Sequence, residues 1–148
     1  MTMKNNFILF LLGAFLYGLI EIIWRGYSHW TMMLAGGICL IIFSIIDEKF
    51  KNVPMLYKCI LGSACVTSIE FVFGVVFNIF LKQQIWDYSR VPLNLLGQVC
   101  LLYSVLWGFL CLAAIPFSGL VKRKLENKTV LAGGSNFYEL SAQGMGRN

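Results

Sequence analysis

Two glutamates stand in stretches where carboxylates are rare. Glu70 interrupts the apolar run from Cys59 to Leu81, and Glu21 lies near the end of another, from Phe7 to Trp24. In a bilayer a charged side chain costs about 2.5–3.5 kcal/mol on insertion scales, so such groups face protein or water and mark ion, proton or ligand contacts. Glu70 is a lone carboxylate that can exchange a proton with a solute or hold a cationic one. Glu21 is followed four residues later by Arg25, a spacing that also makes an ordinary intrahelical ion pair. His29 is the only histidine; a metal site needs several ligands, so no metal centre is expected. More polar residues gather from the end of the third apolar run to the start of the fourth: Trp86, Asp87, Tyr88, Arg90, Asn94 and Gln98. Their types suit hydrogen-bonded recognition of a ligand. They equally suit an interfacial aromatic belt, shared with Trp24 and Trp30, and a loop ion pair between Asp87 and Arg90. No histidine–aspartate set and no two-metal carboxylate cluster accompanies Glu70 or Asp87. A general-base enzyme is therefore the least favoured reading, and no catalytic residue or cofactor is expected.

Composition sets the elements that must position these groups. The chain has 148 residues, 58% hydrophobic and 13% charged, with mean hydropathy +0.73. Soluble domains carry about a quarter charged residues, so the bilayer is the natural solvent for this one. Four apolar runs, about 7–24, 30–46, 59–81 and 95–115, match the roughly 20 residues needed to cross about 30 Å of hydrocarbon. The expected fold class is all-α: an integral membrane bundle of four transmembrane helices over 1–121, then a flexible polar cytoplasmic tail over 122–148. The first run lacks a small-residue cleavage site, so it reads as a helix rather than a leader. The net charge of +5 is not gathered in one patch, which argues against nucleic acid. It follows membrane sidedness instead. Lys4, Lys49, Lys51, Lys58, Lys122, Arg123, Lys124 and Lys128 flank one side, against Arg25, Lys82 and Arg90 on the other. Both termini are expected in the cytoplasm. The five cysteines form no C-x-x-C and read as small buried side chains.

Within the runs, polar and small residues recur at helical spacing. The third carries Ser63, Thr67, Glu70, Gly74 and Asn78; the first Gly13, Tyr17, Glu21 and Arg25; the fourth Asn94, Gly97, Ser104, Gly108 and Cys111. Such seams either pack closely on another helix or line a cavity, and the three are expected to meet. With Glu21, Arg25, His29, Asp87, Arg90, Asn94 and Gln98 at the outer side and Glu70 deeper, they outline an outward-facing polar vestibule. A shift of 61 residues also aligns Tyr27, Ser28, Leu34, Gly36, Cys39 and Leu40 with Tyr88, Ser89, Leu95, Gly97, Cys100 and Leu101. That predicts two parallel helix-pair repeats related by an axis along the membrane normal.

From Gly62 to Trp107 the chain resembles the ABC-transporter type IV (CmpB-like) family of small bacterial membrane proteins. The resemblance is carried by Glu70, then Trp86-Asp87-Tyr88-Ser89, Pro92, Asn94, Gly97, Cys100-Leu101, Ser104 and Trp107. Tyr17, Gly18, Glu21, Arg25 and Gly26 resemble the family's first glutamate helix and its R-G loop. The G-P-x-C-P-I-Y-G stretch usual after that loop is replaced by "LAGGICLII". The resemblance implies a multi-pass protein of the bacterial plasma membrane. No G-x-x-x-x-G-K-[ST] is present, so any ATPase would be a separate chain.

The leading functional expectation is a transporter or permease-like subunit that binds a small solute or lipid through Glu70, Glu21, Arg25, His29, Trp86, Asp87, Tyr88, Asn94 and Gln98. Four helices are few for a complete pathway, so a homodimer or a partner membrane subunit is expected beside the membrane lipids. The alternative is an accessory or regulatory protein assembling with another membrane complex, since small-residue seams serve partners too.

Overall fold

The computed structural model describes residues 3–145, with side chains to residue 128. Its long helices are α1 (Met3–Arg25), α2 (Trp30–Lys49), α3 (Met55–Phe73) and α4 (Leu101–Met145). α3 runs directly into a seven-residue π-helical segment, Gly74–Phe80. A small antiparallel hairpin pairs β1 (Asn94–Leu95) with β2 (Val99–Cys100), Asn94 opposite Cys100 and Leu95 opposite Val99. All four helices, the third with its π extension, are long and apolar enough to cross a membrane. The apolar runs thus become four membrane-spanning helices, as hydropathy requires.

Local chemistry ends each span. Gly26 adopts φ +77° after α1, and its N–H bonds Ile22 O at 2.9 Å, a left-handed cap that glycine enters without a side-chain clash. His29 begins α2: its Nδ1 lies 3.4 Å from the Thr31 N–H, the task usually given to Ser, Thr, Asp or Asn. Pro54 opens α3 with φ −53°, the angle its ring imposes.

Packing is pairwise. α1 lies mainly along α2 and α3 along α4, while α2 also touches α3 and α4. Glycines permit the α1–α2 approach. A Cβ on Gly13 would stand 2.6 Å from Gly36 O, and one on Gly37 2.6 Å from the Phe10 ring. Without an extra hydrophobic drive in lipid, such close backbone contact is what joins helices. Gly37→Ala should therefore lower the stability of the detergent-solubilised protein by about 1–3 kcal/mol through overpacking. Gly108→Ala is the control, because its Cβ would meet only Ser63 Cβ at 3.8 Å. Equal thermal midpoints for the two variants would refute the glycine seam.

The three seams converge only in part. The small residues of α1 face α2 and those of α3 and α4 face each other, while Tyr17 reaches Trp107 of α4 and Arg25 shares a cavity with Asn78 of the α3 seam. The two halves also differ locally. Gly36 lies inside α2, but Gly97 is in a loop at φ +68°. Leu34–Leu40 are helical and Leu95–Cys100 are not, so the 61-residue similarity does not extend to a shared conformation.

The fourth apolar run becomes helical only at Leu101. The preceding stretch holds Pro92 and four non-glycine residues in left-handed geometry: Lys82 (φ 53°), Gln84 (49°), Leu93 (54°) and Leu96 (52°). Each costs about 1–2 kcal/mol, so the loop keeps its shape only because side-chain bonds outweigh that strain.

Leu9 of α1 shares a core cluster with Phe43 and Ile46 of α2. The start of α1 therefore lies at the same end of the bundle as the α2–α3 connection. There Asp47 bonds Lys58 Nζ at 3.4 Å and Arg123 Nη1 at 3.3 Å, and Glu48 pairs with Lys122. The first residues of the segment expected to form a tail are thus helical and docked. Residues 146–148 of that segment lie outside the described residues.

Candidate functional site

At the opposite end of the bundle, the α3 seam runs toward the loop as a ladder of contacts. Ser63 Oγ donates to Ser104 O (2.5 Å), and Thr67 Oγ1 donates to Ser104 Oγ (2.9 Å). Glu70 comes next. Its side chain is buried at 4% exposure and turned to the bundle interior, where Trp107 Nε1 donates to Oε2 at 2.8 Å. One turn on, Gly74 lets Gln98 approach: a Cβ there would stand 2.6 Å from Gln98 Oε1. The last rung is Asn78, inside the π-helical segment. Such segments occur often at functional sites.

Asn78 ties down the loop. Its Nδ2 donates to Trp86 O (3.0 Å) and Gln98 Oε1 (2.8 Å), and its Oδ1 accepts from the Ile85 N–H (2.7 Å). Trp86 is buried and donates through Nε1 to Gln98 O at 2.9 Å. The Tyr88 N–H bonds Gly97 O at 2.7 Å, and the Tyr88 ring stacks on Tyr103 of α4 with centroids 4.6 Å apart. Residues 85–100 thereby form a cap folded onto the helix ends.

Beside this cap opens a polar cavity of about 540 Å³, lined by Arg25, Tyr27, Asn78, Gln84, Ile85, Trp86, Asp87, Tyr88 and Gln98. Arg25 comes from the end of α1. Its Nη2 stands 2.8 Å from Glu21 Oε1, without hydrogen-bond alignment, and its buried Nε meets no acceptor among the described residues. Glu21 Oε2 accepts from Ser28 Oγ at 2.7 Å, and the guanidinium lies 5.0 Å from the Tyr27 ring centroid. Asp87 is committed locally: Oδ1 accepts the Ser89 N–H and Oδ2 the Ser89 hydroxyl, at 2.8 and 2.9 Å. Those bonds hold its carboxyl below the usual aspartate value. Burial pushes the Tyr88 phenol well above its usual value; the Glu70 carboxylate adds to this and Arg25 opposes it. Tyr88 thus lies in the fields of both the inner carboxylate and the outer guanidinium.

Arg25, Trp86, Asp87, Tyr88 and Gln98 are therefore brought together in one cavity, with Glu21 behind Arg25. Glu70 sits one helical turn, about 5.4 Å of rise, from Gly74, which touches Gln98. Two expected contributors serve structure in this arrangement. His29 caps α2, and Asn94 shapes the hairpin, bonding Val91 O (2.8 Å), Ser89 O (3.2 Å) and the Gly97 N–H (3.0 Å). Tyr27 and Gln84 line the cavity without having been singled out as binding residues. Asn78, which continues the helical period of Thr67, Glu70 and Gly74, is both a seam residue and part of the cavity wall.

A second cavity, of about 360 Å³, lies between α1 and α4 with α2 behind it. Its walls are apolar and aromatic, including Tyr17, whose ring lies 6.0 Å from that of Trp107. Tyr17 also packs on the cluster of Met32, Ile85 and Trp86, beside Tyr88. It therefore stands where the apolar cleft meets the polar cavity.

Neither a curated protein nor a solved structure matches the chain. A family does: residues 8–130 match the one described as "Putative ABC-transporter type IV". The match takes in all four apolar runs, Glu21, Glu70 and the whole cap, so the chain belongs to that family.

Proposed function

We propose that the chain is a permease-like subunit of a bacterial plasma-membrane transporter, binding a small solute or lipid in an outward-facing vestibule with Glu70 beneath it. One observation carries this reading. A polar cavity lined by Arg25, Asp87, Tyr88 and Gln98 stands at one end of an otherwise apolar bundle, and Gln98 in its wall touches Gly74, one helical turn from a buried carboxylate. Packing needs small residues but neither a cavity nor a carboxylate. Four helices are few for a whole pathway, so a second copy, a partner membrane subunit or a separate ATPase chain completes it. Thermal stabilisation across a panel of solutes and lipids tests the reading. At least one class should raise the midpoint of the wild type and fail with Tyr88→Ala. No response to any member would overturn it.

A second reading, an accessory protein assembled with another membrane complex, is supported by an outward groove between α3 and α4. It measures about 650 Å³ and is lined by Ile60, Ala64, Ser68, Val105, Gly108 and Phe109 among others. Stoichiometric copurification with another membrane protein, together with no ligand effect, would favour it.

Sidedness completes the proposal. Lys49, Lys51, Lys58, Lys122 and Arg123 cluster at the end away from the cap, which supports a cytoplasmic side for that end and both termini. Single cysteines at Asn52 and Gln84, both exposed, on a cysteine-free background should react with an impermeant label from opposite sides. Reaction from the same side would reject the topology.

A further inference from the structure

We infer that the ligand is a membrane phospholipid, its phosphate held at Arg25 in the polar cavity and one acyl chain laid down the cleft between α1 and α4. The inference deepens the vestibule reading above and rests on it. Three observations converge.

The first is an unmet donor. Arg25 lines the polar cavity, and its buried Nε has no acceptor among the described residues. Guanidinium N–H groups in fixed geometry match phosphate oxygens closely. The Glu21 carboxylate takes only the Nη2 edge. Asp87, the other charged group of the cavity, has both oxygens engaged by Ser89.

The second is continuity. Tyr17 borders the apolar cleft and packs beside Trp86 and Tyr88, which border the polar cavity. On α4, Tyr103 stacks on Tyr88, and Trp107, one turn further, enters the cleft wall. The two compartments are therefore neighbours across this aromatic contact, and the proposed lipid bridges it with its headgroup on one side and its chain on the other.

The third is length. The α4 wall of the cleft runs from Trp107 to Phe117, roughly 15 Å at 1.5 Å per residue. That is about half of the 30 Å hydrocarbon core, the depth of one leaflet. The wall begins six residues, about 9 Å, along α4 from its cap end at Leu101, so a phosphate held at the cap end leaves the first part of the chain above the cleft.

Native mass spectrometry of the full chain, offered dioleoyl phosphatidylglycerol, dioleoylglycerol and glycerol 3-phosphate in turn, tests this. One phosphatidylglycerol per chain should be retained, with dioleoylglycerol held about tenfold less for the lost charge-assisted bond and glycerol 3-phosphate, which buries no acyl chain, held at least about a hundredfold less. Arg25→Lys keeps a cation for Glu21 but removes the Nε donor, and should lower retention about tenfold. Ala113→Phe fills the cleft from its exposed side and should do the same, with an unchanged thermal midpoint confirming the fold. Equal retention of dioleoylglycerol, or full retention by Ala113→Phe, overturns the inference. If glycerol 3-phosphate binds in an Arg25-dependent way while the lipid is not selected, the inference falls and the vestibule stands as a small-solute site. Binding of none of the three overturns the inference, and the solute panel then decides the broader reading separately.

Discussion

Asn78→Leu should release the cap and lower the stability of the folded chain by about 3 kcal/mol or more, since each buried polar group left unpaired costs about 1–3 kcal/mol. Asn78 makes three hydrogen bonds at once, to Trp86 O, Gln98 Oε1 and the Ile85 N–H. Leucine is close in size and would fill the space, so the loss isolates the polar function. Ile85, Trp86 and Gln98 are all buried, so each loses a specific partner that the side chain supplied. The loop also stores left-handed strain at Lys82, Gln84, Leu93 and Leu96, which would then relax outward. Limited proteolysis should cut the variant between residues 81 and 96 while the wild type resists, and the thermal midpoint should fall. An uncut loop at an unchanged midpoint would show that Asn78 does not hold the cap. Asn94→Ala, which removes bonds confined to the turn, should cost less than half as much.

The four spans were legible because hydropathy acts over whole helices: a 20-residue average survives one glutamate or one serine. The membership of the family was legible for a different reason, the ordered residues from Glu70 to Trp107. The inward face of Glu70 was legible as well, since Thr67, Gly74 and Asn78 repeat at its helical spacing. What failed depends on individual bonds. Leu95 and Leu96 look like helix, yet Asn94 and Gly97 close a turn around them and expose both leucines. The π-helical segment has no hydropathic signature. His29 and Asn94 have side chains suited to ligands, but those same atoms satisfy the nearest backbone N–H, and only coordinates tell the two uses apart. Seam pairing was likewise hidden. A stripe of small residues announces a neighbour without naming it, and α1 found α2 while α3 found α4.

Glu70→Gln should keep the fold and lose the function. Glutamine retains the size of the side chain and an oxygen able to accept the Trp107 N–H, so the 2.8 Å bond survives in kind. Removing an ionisable group from a membrane interior relieves desolvation, and the thermal midpoint should stay level or rise. The ligand-induced rise in midpoint, or uptake in proteoliposomes once a substrate is in hand, should be lost. A functional carboxylate and a structural one then part company in the same variant. Two further substitutions check the stabilising bond. Glu70→Leu strands the Trp107 N–H and Trp107→Phe strands the carboxylate, each costing about 1–3 kcal/mol. Combined, they leave two apolar partners and no orphan, so the double variant should be more stable than the sum of the singles by about 1–2 kcal/mol. A strictly additive double variant would mean that the bond contributes nothing. A Glu70→Gln protein that folds and responds to ligand like the wild type would reduce Glu70 to a packing residue, and the vestibule would have to work through Arg25 and Tyr88 alone.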